Sequence, residues 1–390
     1  MNKCIKNLKH RYLFLLITLL AFFAGCGESI NKDDKPEDLI SVNGIHFGDT
    51  KYNVLTDMDN CFGYLNVYTK SETGYYNFDM NNSGKILLYM DRELDKVVPV
   101  CSRINCTHDN LDCDAVFSEF IYPEVIYNEG YIYTEMIEEA EDKNMMDFYL
   151  YKVSADGSKR EKVFKMYTYL KNASIIPSVY IHRGCVYYLL IETDNVSLYK
   201  KDLKKGEPEL IYKYKGEFAD ICNIKGYGEG IFFSRSQDGI SYQIAYHSCI
   251  DNKTYDIVGD SCWSYAITDD FIYYISPDGQ LNKMSLKDLK TEALKDNLSR
   301  SDELSTDGKY LYIDNYNESS MQNFKDRKID VYTLGGEKVD TIDLDKQYST
   351  CDFGDENYMF FGFNDGTKKY FDKSQIGTTS HEWKMLPLPN

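Results

Sequence analysis

A short run of Tyr, Phe and Ile recurs along this 390-residue chain and restricts its possible folds more than any other feature. Each copy follows a glycine or polar residue typical of a turn, and these residue types favour strands. The apolar runs of the last six copies are separated by 55, 45, 41, 38 and 48 residues, measured between Tyr131, Val186, Ile231, Ile272, Tyr310 and Tyr358. The seven copies begin at Gly74, Gly130, Gly184, Gly230, Asp270, Lys309 and Asn357.

This repeat predicts an all-β fold, a β-propeller of seven four-stranded blades, because such blades recur about every 40 to 50 residues. A parallel sheet would need helical crossovers of about a dozen residues, and no helical periodicity is present. A two-sheet sandwich is the structural alternative, but its strands have no reason to repeat at a period of about 40 to 50 residues. Asp-Gly pairs lie between apolar runs, where both residues tolerate the positive φ of a tight hairpin. These pairs are Asp156-Gly157, Asp238-Gly239, Asp278-Gly279, Asp307-Gly308 and Asp365-Gly366.

The first 25 residues differ in kind from the rest of the chain. A head with four basic and no acidic residues precedes an apolar run from Tyr12 to Phe23. A run of about 12 residues is too short to span a bilayer but is typical of a secretory signal. The run ends in Phe23-Ala24-Gly25-Cys26, which resembles a lipobox. The resemblance implies cleavage before Cys26 and acylation of its thiol. An ordinary signal peptide followed by a chance cysteine is the alternative.

These features predict three segments. Residues 1–25 form a lipoprotein signal peptide, residues 26–45 hold the lipidated Cys26 and a flexible tether, and residues 46–390 form a single propeller. Fatty acyl chains such as palmitate then anchor the protein in a membrane. We therefore expect it on the outer, extracytoplasmic face of a bacterial cell membrane.

The net charge of −18 at pH 7 restricts the partners. Nucleic-acid binding draws much of its affinity from cationic residues that neutralise phosphates, so we expect no nucleic-acid partner. Carboxylates are so abundant that a pair for glycoside chemistry could be assembled at any propeller mouth. Their abundance therefore identifies no catalytic pair.

One short segment concentrates metal-ligand and thiol chemistry. Cys101, Cys106, His108 and Cys113 lie within 13 residues, and thiolate and imidazole are ligands of tetrahedral Zn²⁺. A disulfide, which suits an exported chain, and reduced structural thiols are the alternatives, because the C-x4-C-x-H-x4-C spacing is not diagnostic. Four protein ligands would make a zinc site closed and structural. We predict no cofactor, with a structural zinc at these four residues as the alternative.

Two further patterns carry weaker signals. Gly259-Asp260-Ser261 resembles the sequence around some hydrolase serines. The sequence pattern places no histidine and no oxyanion donors beside this serine, so we do not expect it to be activated as a nucleophile. We therefore assign no catalytic residue. The acidic stretch Glu135 to Asp147 is interpreted as a loop on one propeller face, with a cation or partner contact as the alternative.

From roughly Cys61 to the C-terminus, these repeats resemble the TolB-like and low-density-lipoprotein-receptor-like propeller domains (DUF5050 type) of Firmicutes lipoproteins. The resemblance implies a fold and a surface location but no reaction. We predict a non-catalytic binding or scaffolding protein for carbohydrate, peptide or envelope partners. The alternative is a carbohydrate-active hydrolase or lyase with carboxylates at the channel mouth. A third possibility is a structural role in an envelope complex.

Overall fold

The computed structural model is a seven-bladed β-propeller, which confirms the predicted fold. The structure describes residues 40–42, 44–60, 67–81, 84–118, 124–170, 178–192, 194–216, 218–315, 327–344, 349–363 and 366–388. The predicted signal peptide and Cys26 lie outside these residues. Within the described ranges, no helix is long and apolar enough to cross a membrane.

Each blade is a four-stranded antiparallel sheet made of consecutive strands. Two strands, β1 (Ile40–Val42) and β2 (Ile45–Gly48), precede the ring. Blade 1 contains β3 (Tyr68–Lys70), β4 (Gly74–Asn81), β5 (Gly84–Asp91) and β6 (Val97–Pro99), and β7 (Val116–Phe117) also pairs with β5. Blade 2 contains β8 (Ile126–Asn128), β9 (Tyr131–Glu139), β10 (Met145–Ser154) and β11 (Arg160–Leu170). Blade 3 contains β12 (Val179–His182), β13 (Cys185–Glu192), β14 (Asn195–Asp202) and β15 (Glu209–Lys215).

The remaining blades repeat this order. Blade 4 contains β16 (Asp220–Tyr227), β17 (Gly230–Ser236), β18 (Tyr242–Ser248) and β19 (Lys253–Ser261). Blade 5 contains β20 (Tyr265–Ile267), β21 (Phe271–Ile275), β22 (Leu281–Ser285) and β23 (Thr291–Lys295). Blade 6 contains β24 (Glu303–Thr306), β25 (Tyr310–Asp314), β26 (Lys328–Thr333) and β27 (Lys338–Asp343). Blade 7 contains β28 (Ser349–Gly354), β29 (Tyr358–Phe363), β30 (Lys368–Asp372) and β31 (Trp383–Met385), with a 3₁₀ turn at Lys373–Gln375.

The recurring aromatic run is the second strand of every blade. Successive side chains of a strand point to opposite faces of the sheet, so this strand fills the cores on both sides of its blade. In β9, Ile132 belongs to the core shared with blade 1, whereas Tyr133 belongs to the core shared with blade 3. The first strands of neighbouring blades, such as β20 and β24, lie beside one another around the axis.

Among the Asp-Gly pairs that the structure describes in full, only the glycine adopts positive φ. Gly157 and Gly279 have φ of 77° and 81°, whereas Asp156 and Asp278 are not among the residues with positive φ. Gly157 N donates to Ser154 O at 2.8 Å, which closes a four-residue turn. The turn at Gly279 closes in the same way, through Gly279 N to Ser276 O at 2.9 Å, and in both turns only the glycine needs the left-handed region.

Residues 44–60, here called the N-terminal arm, lie against the ring. β1 pairs with β2, so regular structure among the described residues begins at Ile40, inside the stretch expected to be a tether. Phe47 is fully buried. Its ring lies 5.4 Å from that of Tyr227, 6.1 Å from that of Phe232 and 4.9 Å from that of Tyr246, all in blade 4.

Side-chain contacts between blade 1 and blade 7 close the ring. The rings of Tyr68 and Phe360 stack with their centroids 5.0 Å apart. The Tyr75 hydroxyl donates to Asp355 Oδ2 at 2.6 Å, and Lys70 Nζ lies 3.4 Å from the same oxygen. The Asp355 side chain has no exposed surface.

Candidate functional site

A cavity of about 420 Å³, here called the mouth cavity, opens at one end of the ring axis. The turns that join the first and second strands of blades 4 to 7 form much of its wall, and the N-terminal arm forms most of the rest. Its described lining residues are Thr50, Tyr52, Asp57, Asp59, Asn60, His182, Gly226, Tyr227, Gly228, Ile267, Thr268, Asp269, Asp270, Phe271, Thr306, Asp307, Gly308, Leu334 and Glu356.

The cavity is acidic. Six carboxylates line it, and none of the described lining residues is Lys or Arg. Cations outside the lining contact five of these carboxylates, in the pairs Asp57–Arg183, Asp59–Lys70, Asp270–Lys287, Asp307–Lys373 and Glu356–Lys70. Asp269 is exposed, and the described residues place no cation against its carboxylate. A cavity of one charge sign attracts ligands of the opposite charge.

Arg183 attaches the N-terminal arm to blade 3. Its backbone N–H donates to Thr56 O at 2.8 Å. Its guanidinium donates to Asp49 O at 2.6 Å, to Lys51 O at 3.1 Å and to both carboxylate oxygens of Asp57. Arg183 therefore fixes the position of Asp57 in the cavity wall.

His182 and Asp57 face each other through two acceptor atoms, one from each residue: His182 Nδ1 and Asp57 Oδ1. His182 is 3% exposed, and its Nε2 donates to Gly228 O at 2.8 Å because a carbonyl oxygen can only accept. Its Nδ1 lies 3.6 Å from Asp57 Oδ1 and has no hydrogen-bond partner. Burial lowers the pKa of His182, while the charge of Asp57 opposes this shift. Asp57 Oδ1 already accepts from Arg183 Nε at 3.2 Å and from Thr56 Oγ1 at 2.9 Å, so of these two atoms only His182 Nδ1 lacks a donor.

Asp307 is ionised in the cavity wall at neutral pH. Burial alone would raise its pKa, but Lys373 at 2.9 Å and the hydroxyl of Tyr312 at 2.5 Å together lower it. Asp307 is therefore an acceptor and not a proton donor.

None of the cavity residues was predicted as a site from the sequence. The signal present in the sequence is the polar residue before each aromatic run, such as Asp269, Asp307 and Glu356. From the sequence alone, these residues are interpreted only as turn formers. Their common location follows from the ring, which brings the same turn of successive blades together.

The structure also places the two weaker sequence candidates. Ser261 lies at the end of β19, has no exposed surface and donates its hydroxyl to Tyr242 O at 3.2 Å. The acidic stretch is only partly a loop, because it begins in β9 and ends in β10. Glu135 within β9 is 1% exposed. The loop interpretation is therefore wrong for Glu135.

The four predicted Cys/His residues come together on the loop between β6 and β7. Their ligand atoms all lie within 4.8 Å of one another. His108 Nδ1 is 3.2 Å from Cys113 Sγ, and the three cysteines are free thiols. We call Cys101, Cys106, His108 and Cys113 the Cys/His cluster.

Backbone N–H groups surround the sulfur atoms of the Cys/His cluster. Ala115 N donates to Cys113 Sγ at 3.3 Å. Burial alone would raise the pKa of Cys101, but N–H groups of Arg103 and Asp114 that donate to its sulfur lower it. Burial raises the pKa of Cys113.

No protein-family model and no curated protein matches this sequence. Solved structures do match. A prolyl endopeptidase matches with a TM-score of 0.54 and 11% identity over 86% of this chain, which spans about half (51%) of that protein. The computationally designed Ika8 protein matches with a TM-score of 0.50 and 10% identity, over 88% of this chain and 89% of that one.

TolB from Acinetobacter baumannii matches with a TM-score of 0.35 and 12% identity, over 79% of this chain and 80% of that one. At 10 to 11% identity, the similarity to the prolyl endopeptidase and to the Ika8 protein shows the fold alone, because one fold hosts many functions. The assignment to a particular group of lipoprotein propellers stays a prediction.

Proposed function

We propose that this protein is a lipid-anchored, non-catalytic binding protein whose mouth cavity receives a basic side chain of a peptide or protein partner. One observation carries the proposal: the cavity has six carboxylates and none of its described lining residues is Lys or Arg. The anchor and the extracytoplasmic location are supported by the leader sequence.

The size and chemistry of the cavity agree with such a ligand. Small-ligand sites occupy about 300 to 1,000 Å³, and the volume of about 420 Å³ suits one or two side chains rather than a folded domain. A cationic side chain contacts carboxylates through charge-assisted hydrogen bonds.

The experiment is a fluorescence-anisotropy titration of the purified protein with three labelled peptides of equal length. One peptide is rich in Lys and Arg, one is acidic and one is neutral. We expect only the basic peptide to bind, with an affinity that falls as salt is added because exposed charges are screened.

Asp269→Asn should weaken this binding several-fold, because Asp269 lines the cavity and faces no described cation. Asp278→Asn is the matched control, since it makes the same charge change at an exposed turn of the same blade outside the described lining. Equal effects of the two substitutions would contradict the proposal. Binding of all three peptides alike, or of none, would do so as well.

The alternative is a carbohydrate-active hydrolase or lyase, which stays a prediction. Glycoside hydrolysis needs a carboxylic acid that holds its proton near neutral pH. Asp307 does not supply one, because its pKa is lowered. Cleavage of oligosaccharides by the purified protein, abolished in Asp57→Asn, would replace the binding proposal with this one.

A further inference from the structure

We infer that the Cys/His cluster binds one Zn²⁺ ion through Cys101, Cys106, His108 and Cys113, in a closed, four-ligand structural site. The inference is independent of the proposed function, because the cluster lies on the outer edge of blade 1 and none of its residues is among those lining the mouth cavity.

The geometry of the cluster suits a tetrahedral ion. Bond lengths of about 2.3 Å to sulfur and about 2.0 Å to nitrogen place the ligand atoms about 3.5 to 3.8 Å apart. The four ligand atoms lie within 4.8 Å of one another, and His108 Nδ1 is 3.2 Å from Cys113 Sγ. Small side-chain rotations are enough to centre an ion. A disulfide would use only two of the three thiols and give the imidazole no role.

The loop that carries the cluster has almost no apolar core of its own. Between Cys101 and Cys113, residues 102–105, 107 and 109–112 are exposed, including Ile104 at 91% and Leu111 at 61%. The side chains turned inward are those of the cluster. Asn105 and His108 have φ of 58° and 56°, a left-handed conformation that is uncommon for residues other than glycine. A bound ion would supply the stabilisation that this loop cannot draw from apolar burial.

The donor set favours zinc over other common ions. Sulfur and imidazole ligands suit Zn²⁺, whereas Mg²⁺ and Ca²⁺ prefer oxygen. Ala115 N donates to Cys113 Sγ at 3.3 Å, the kind of outer contact that orients a ligand and spreads its negative charge. Since all four positions are filled by side chains, no open position is left for a substrate.

The cluster lies beside the closure of the ring. Cys101, Cys106 and Cys113 pack in one apolar cluster with Leu388, which follows the last strand of blade 7. On the other side, Arg160 of blade 2 donates to Asp114 O at 2.8 Å. A bound ion would therefore hold blade 1 against both of its neighbours, and its loss should loosen the closure.

The test is elemental analysis of the full chain, purified under reducing conditions after growth with added zinc. We expect one zinc per chain, and a melting temperature that falls by several degrees when a chelator removes it. Replacement by Co²⁺ should give the strong visible absorption of tetrahedral cobalt thiolates. Cys106→Ser and His108→Gln should each lower the zinc content and weaken zinc retention during chelation.

Cys185→Ser is the matched control, because Cys185 is a part-buried free thiol outside the cluster. It should retain one zinc per chain. A wild-type zinc content far below one would overturn the inference, as would a disulfide within the cluster detected by mass spectrometry after alkylation. Equal loss of zinc in Cys185→Ser and Cys106→Ser would overturn it too. The wild-type measurements need no variant, so a misfolded variant leaves the test intact.

Discussion

Glu135 lies on the second strand of blade 2, and neither of its carboxyl oxygens has a hydrogen-bond partner among the described residues. Burial raises its pKa well above the usual range, and the charge of neighbouring Glu124 adds to this shift. Burial likewise raises the pKa of Glu124 to about 8. The folded protein therefore keeps protons on these carboxyl groups at neutral pH, where the unfolded chain releases them.

The first prediction concerns the dependence of stability on pH. The folded state binds more protons than the unfolded state between about pH 4.5 and pH 8, so this pair makes stability fall as the pH rises through that window. Glu135→Gln removes one ionisable group. We expect its free energy of unfolding in urea to exceed that of the wild type at pH 8 by about 1 to 3 kcal/mol, and the difference to shrink at pH 5.

Glu139→Gln is the control for this prediction, because Glu139 lies on the same strand and is exposed. It should change stability by less than about 0.5 kcal/mol at either pH. A gain for Glu135→Gln that is the same at pH 5 and pH 8 would show that the carboxyl groups do not titrate as described.

Single residues differ in how far the sequence predicts them. The Cys/His cluster was predicted as a group because its four members lie within 13 residues of the chain, so any fold keeps them close. Glu135 was assigned to a loop because its neighbours in sequence are acidic. Its burial depends on which way its strand faces, and the contact with Glu124 forms only in the folded sheet.

At the scale of strands, the sequence predicts the second strand of each blade and misses the first. Second strands such as β17 are fully buried and rich in aromatic residues, which makes them visible as continuous apolar runs. First strands such as β8 and β20 contain three residues each. A run this short shows no alternation, so the first strand is set by the blades around it rather than by its own sequence.

The second prediction concerns the attachment of the N-terminal arm. Phe47 has no exposed surface and packs among three aromatic rings of blade 4. Phe47→Ala should lower the free energy of unfolding by about 3 to 5 kcal/mol, since it removes a buried ring and leaves a cavity. Urea unfolding followed by tyrosine fluorescence measures the change.

Phe218→Ala makes the same substitution at a ring that is 66% exposed. We expect it to change stability by less than about 0.5 kcal/mol. Similar losses in the two variants would mean that the arm contributes nothing to stability through Phe47.

The arm also carries Asp57 and Asp59 into the mouth cavity. Phe47→Ala should therefore weaken peptide binding even under conditions in which the variant is fully folded.

At the scale of the whole molecule, the number of blades can be predicted but the closure of the ring cannot. The number follows from seven copies of one pattern. Closure depends on pairs such as Tyr75 and Asp355, which are 280 residues apart, and no local pattern links them. The mouth cavity cannot be predicted from the sequence for the same reason, since its wall is assembled from the turns of successive blades.

The last prediction tests this closure. Among the described strands, none is exchanged between blades 1 and 7, so side chains must hold the ends together. Asp355 is buried, accepts from Tyr75 and faces Lys70. Asp355→Ala leaves a hydroxyl and a cation without this partner, and we expect a loss of about 3 to 5 kcal/mol in the free energy of unfolding.

Glu356→Ala is the control, because Glu356 also pairs with Lys70 but its side chain is 58% exposed. An exposed ion pair contributes about 0 to 1 kcal/mol, so this variant should stay close to the wild type. Hydrogen exchange should locate the damage: in Asp355→Ala, amides of β3 and β28 should exchange faster while those of blade 4 change little. Faster exchange spread evenly over all blades would mean that the ring unfolds as one unit and that blades 1 and 7 are not its weakest junction.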